Sequence, residues 1–87
     1  MQTEQSTISL SSSPVGRWLR IIALPVGTIR AQFIRLGFGE GEKIRCVERL
    51  PGGTIVIQKS RQQIAVGHQL SNQIMIAVMV EEEEVCA

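Results

Sequence analysis

The 87-residue chain has room for one domain and none for two lobes around a cleft, since a chain this short buries only about 60% of its unfolded surface. With 44% hydrophobic and 20% charged residues it is too apolar to be disordered throughout, yet its longest apolar run, Ile74 to Val80, falls well short of the roughly 20 residues of a membrane-spanning helix. One His, no Tyr, no Asp and two widely separated cysteines give little from which to assemble a catalytic triad or a metal cluster.

The formal net charge of +1 hides an asymmetry. Residues 14–80 hold all nine basic residues against Glu40, Glu42 and Glu48, a surplus of +6, and the block Glu81–Glu84 follows the last apolar run. Adjacent like charges repel and stay solvated, so 81–87 reads as an acidic flexible tail, with loose divalent-cation binding or screening of the basic body as alternatives. The basic body raises nucleic acid as a partner. Against it, Trp18, Phe33 and Phe38 are the only aromatics, so base stacking is poorly supplied.

In chain order, residues 1–13 are rich in Ser, Gln and Thr and read as a flexible segment, with Ile8 and Leu10 the only apolar residues that could anchor it. The segment has neither the basic start nor the apolar stretch of a secretory signal, which makes the cytoplasm the default address. A first strand is predicted over Arg17 to Leu24, ending at Pro25. Thr28 is placed as N-cap of a helix over Ile29 to Leu36, with Ile29, Phe33 and Leu36 on one face and Gly37 at the left-handed position that ends it.

Three alternating runs follow, Glu42 to Leu50, Thr54 to Lys59 and Gln63 to Gly67, separated by the turns Pro51-Gly52-Gly53 and Ser60-Arg61-Gln62. They predict an antiparallel meander. Ile44 and Cys46 point to its core, whereas Lys43, Arg45 and Arg49 share the outer face. His68 to Gln73 reads as a single helical turn, and Ile74, Ile76 and Val78 mark a final strand. The expectation is a mainly β fold over residues 14–80: about five short strands closed into a small barrel, with one short helix after the first strand and a helical turn before the last.

The ordered set Val15-Gly16, Phe33-Ile34-Arg35-Leu36-Gly37-Phe38-Gly39-Glu40-Gly41-Glu42-Lys43-Ile44, Pro51-Gly52-Gly53-Thr54-Ile55-Val56 and Ile64-Ala65-Val66, followed by Ser71, Ile74 and Ile76, resembles the FeoA family of ferrous iron transport accessory proteins. The resemblance runs over roughly residues 10–80. It implies an SH3-like small barrel in the cytoplasm that associates with the membrane ferrous iron permease FeoB, which carries a GTPase domain, as an adaptor or regulator and not as an enzyme. It also implies weak contact with a divalent transition metal such as iron without a resident cofactor, and it leaves self-association open. A second reading is a nucleic-acid-binding or iron-repressor-associated module. The chain departs from the family pattern at Gln32 and Gly67, where many members carry Arg.

The surface expected to meet the partner is the helix and its following loop, where Arg30 and Arg35 would set charge around an apolar contact at Phe38. Leu50 and Pro51 at a hairpin tip are a second candidate. His68 is the only imidazole, and a metal site built on it would need Glu40, Glu42, the acidic tail or another chain to complete it. Cys46 is read as a small core hydrophobe, the alternative being a disulfide to Cys86.

Overall fold

The computed structural model describes residues 7–79. The Glu81–Glu84 block, Cys86 and the start of the N-terminal segment lie outside the described residues.

Six strands form one antiparallel sheet. In chain order the elements are β1 (Thr7–Ser9), a 3-10 turn (Leu10–Ser12), β2 (Trp18–Ala23), α1 (Thr28–Arg35), β3 (Lys43–Arg49), β4 (Ile55–Lys59), β5 (Gln62–Val66), α2 (His68–Ser71) and β6 (Met75–Val78). In space the strands run β1-β6-β2-β3-β4-β5, so the last strand sits between the first two. The meander, the helix after the first long strand and the helical turn before the last strand all occur where alternation and turn chemistry place them.

Two features differ from expectation. The sheet is not closed: β1 and β5 stand at its opposite edges, so the fold is an SH3-like open sheet and not a sealed barrel. And the described part of the expected flexible segment is folded. Thr7, Ile8 and Ser9 pair with Ala77, Ile76 and Met75, and the Leu10 amide donates to the Ile74 carbonyl at 2.8 Å. Leu10 is fully buried and Ile8 packs against the core, and burying Leu10 supplies the free energy to hold an otherwise polar strand.

Alternation puts one face of the sheet inward. Leu19 and Ile21 of β2, Ile44 and Cys46 of β3, Ile55 and Ile57 of β4, and Ile76 of β6 are buried together with Ile74. Cys46 is thus core, as read. Arg49 on the same strand is not on the outer face with Lys43 and Arg45. A register shift between Cys46 and Glu48 inserts Val47 as an extra residue, so that Glu48 pairs with Val56 and Arg49 with the core residue Ile55. From this position the Arg49 guanidinium donates to the carbonyls of Ser11 and Ser13.

Helix α1 begins at Thr28 with Gly27 as its N-cap, one residue earlier than the sequence suggests, and Thr28 makes no capping bond. Its C-terminus is a full Schellman motif. Leu36 is the C-cap, Gly37 takes φ 89°, the Gly37 amide donates to Ile34 O at 3.0 Å, and the Phe38 amide donates to Phe33 O at 2.7 Å. The reversal ties the Phe38 backbone to Phe33, and both rings are buried in the core cluster. Leu36, expected on the buried stripe, is instead 43% exposed, because the helix ends before its seventh-residue repeat can face the core.

Candidate functional site

The helix end and the loop behind it form a rigid, solvent-facing ledge. The loop 39–42 is pinned to β2 from both sides: the Gly41 amide donates to Ile21 O at 2.7 Å and the Ile21 amide to Glu42 O at 3.0 Å. Arg20 adds a bond from Nη1 to Gly41 O at 2.9 Å. Gly39 packs closely on the helix, since a Cβ there would sit 3.0 Å from Ile34 Cγ1, which would have to shift by a few tenths of an ångström. Across this contact Arg30 Nε donates to Glu40 Oε2 at 2.9 Å and Oε1 at 3.2 Å. The Arg30 hydrogen bond holds the Glu40 carboxyl below its usual range, and the same bond raises the guanidinium.

Of the residues expected to meet a partner, Arg30 and Arg35 lie on this ledge and are exposed. Arg30, however, is committed to Glu40 and Arg35 makes no ion pair among the described residues. Phe38 is a correction. With none of its surface exposed it is a core residue, turned inward by the Schellman reversal, and cannot be the apolar contact. The exposed large apolar side chains near Arg35 are instead Ile34 and Leu36, 47% and 43% exposed, with Val26 ahead of the helix at 89%. A helical wheel holds the signal: Phe38 at C″ pairs with Phe33 at C3 in a Schellman end, which leaves Ile34 and Leu36 facing out.

Leu50 and Pro51 lie elsewhere, at the β3–β4 hairpin. Pro51 is exposed and Leu50 half-buried, its amide donating to Thr54 O at 2.8 Å. The tip leans on α2. A Cβ on Gly53, whose φ is 92°, would stand 2.5 Å from His68 Nδ1. His68 is therefore occupied as a packing surface for the turn, with Asn72 Nδ2 3.5 Å from its Nε2.

Among the described residues no three His, Cys or Glu side chains converge on a common point. Glu40 is bound to Arg30, Glu42 lies 3.4 Å from Lys59 Nζ, and Cys46 is sealed in the core. Among the described residues these donors are engaged elsewhere or buried and form no metal site. No helix among the described residues is long and apolar enough to cross a membrane.

The described residues form a small open six-stranded sheet with an exposed helix end beside it. The chain belongs to the FeoA family: the FeoA domain model matches residues 8–78. An iron uptake regulatory protein (FeoA) of known crystal structure superposes with a TM-score of 0.72 at 23% identity, covering 85% of this chain and 100% of its own. The FeoA protein from Chlorobium tepidum superposes at 0.75 and 16% identity, covering 88% and 75%. The iron(II) transport protein A from Clostridium thermocellum does so at 0.73 and 27%, covering 83% of this chain and 46% of its own. No curated protein matches the chain.

Proposed function

We propose that this chain is a cytoplasmic accessory protein of ferrous iron uptake, without enzymatic activity of its own, that docks on the soluble GTPase-bearing side of the ferrous iron permease FeoB. Family membership carries the role in ferrous iron transport, and weak contact with a divalent transition metal such as iron belongs to the same reading. What supports the docking face is the combination of exposed Ile34 and Leu36 with Arg35, which has no ion-pair partner among the described residues, on a backbone held by the Schellman turn and the Arg30–Glu40 pair. A preorganised ledge loses little entropy on binding, and a few apolar anchors beside a cation are the usual composition of a small hot spot.

The test is a titration of isotope-labelled protein with the cytosolic GTPase-containing region of the permease, with and without guanine nucleotide. Shifts confined to α1 and the loop through Glu40 are expected. Shifts confined to Leu50–Gly53 would move the interface to the hairpin, and the absence of any shift would remove direct binding to that region. Nucleic acid is the weaker reading, since Trp18 is the one aromatic side chain not buried among the described residues and its ring already faces two cations.

A further inference from the structure

The outer face of the sheet carries a second charged surface, distinct from the ledge. Trp18 on β2 pairs with Arg45 on β3, and Arg20 pairs with Lys43. Lys43 Nζ lies 4.9 Å and Arg45 Cζ 5.2 Å from the centroid of the Trp18 ring, so two like charges converge on one indole. Arg17 stands at the edge of this group. None of these four cations is paired with a carboxylate among the described residues; the two ion pairs there are Arg30–Glu40 and Lys59–Glu42. Beyond Arg45 the face continues as Gln58 and Gln63, joined by a 2.9 Å bond and uncharged. Four cations crowded without a counter-charge define a surface for an acidic ligand.

The end of the described chain points to the occupant. The Met79 amide donates to Trp18 O at 2.9 Å, and Arg17 Nη2 donates to Met79 O at 3.4 Å, so the backbone leaves β6 beside this cluster. The next residues are Val80 and Glu81–Glu84. At about 3.3–3.6 Å per residue, Glu81 and Glu84 can lie roughly 7 and 18 Å from Met79. Arg45 is two strand spacings from β6, about 10 Å. Four glutamates thus begin within reach of four unpaired cations.

We propose that the Trp18 face is a binding surface for an acidic segment and that Glu81–Glu84 occupies it in cis. Any external acidic ligand for the face must then displace the chain's own tail. This inference stands independently of the permease reading, because it rests on the cations around Trp18 and its test requires no permease.

The experiment compares the full-length chain with a variant in which Glu81, Glu82, Glu83 and Glu84 are each replaced by Gln, which keeps length and removes charge. The reporters are the Trp18 indole N–H and the Nε–H signals of Arg17, Arg20 and Arg45. Expected are shifts confined to these reporters in the Gln variant, reproduced in the wild type when salt is raised from about 0.02 to about 0.5 M. A synthetic peptide of residues 79–87 should bind the Gln variant at the same reporters and the wild type about tenfold more weakly, the range that a few exposed ion pairs supply. Reporters identical in the two chains at low salt, or equal peptide affinity for both, would overturn the proposal. So would tail-independent binding of vesicles containing phosphatidylserine at these reporters, which would make an anionic lipid surface the occupant.

Discussion

Arg49 donates from Nη2 to the carbonyl of Ser11 at 2.7 Å and from Nη1 to that of Ser13 at 2.8 Å, tying β3 to the turn after the first strand. The tie exists because the bulge at Val47 reverses the alternation of β3. Arg49→Ala should therefore cost about 1–3 kcal/mol, the range for hydrogen bonds from a charged donor. Amide exchange of Thr7–Ser9 should accelerate more than that of β4. Arg49→Lys should not restore protection, since an ammonium cannot span two carbonyls as the guanidinium fork does. Unchanged exchange at β1 would show that Leu10 alone holds the segment.

Gly52 and Gly53 both take φ near 90°, yet only Gly53 meets a neighbour, the ring of His68. Alanine at Gly52 should cost about 1 kcal/mol from backbone strain alone. Gly53→Ala should cost more, and the excess should shrink when His68 is also replaced by Ala. Chemical denaturation of the three variants measures it; equal costs at the two glycines would mean that the hairpin tip does not rest on α2.

Leu36, which helical periodicity places on the buried face, is exposed, and Phe38, expected as a surface contact in the following loop, is buried. Leu36→Ala should change stability by no more than about 0.5 kcal/mol, as for an exposed site, whereas Phe38→Ala should cost about 3–5 kcal/mol. A large loss at Leu36 in thermal unfolding would contradict the exposed ledge.

The Arg30–Glu40 pair has a defined pH signature. Because the carboxyl is depressed in the folded state, its contribution is fully present above the ordinary carboxylate range and is lost as pH falls through the lowered value. The difference in Tm between the wild type and Glu40→Gln should thus shrink on acidification from about pH 6 to about pH 2, and should also shrink with added salt. A difference independent of pH would assign the effect of Glu40 to something other than its charge.

Much of the fold was legible because its signals are local. The meander shows in the alternation of Ile44, Cys46, Ile55 and Ile57, and its turns in Gly52, Gly53 and Ser60. Strand β1 was not legible: three residues of Thr-Ile-Ser carry no pattern of their own and are fixed by partners about seventy positions away, at Met75 to Ala77. Closure into a barrel was read from strand number, which does not say whether the edges meet. The outward placement of Arg49 failed at a bulge, since an alternating pattern carries straight through an inserted residue.

The candidate surface was half legible. Arg30 and Arg35 are where the helix puts them, but counting by sevens to Leu36 ignores the chain reversal that Gly37 makes. The reversal buries Phe38 and leaves Ile34 and Leu36 as the exposed apolar side chains at the helix end.

The most direct test of the account is calorimetric titration of the cytosolic GTPase-containing region of the permease with wild type and with Leu36→Asp, a substitution at an exposed position. The account predicts an unchanged Tm and an affinity reduced at least about tenfold, since a charge placed in an apolar hot spot costs upward of about 1.4 kcal/mol. Equal affinity for the two proteins would contradict docking through the end of α1.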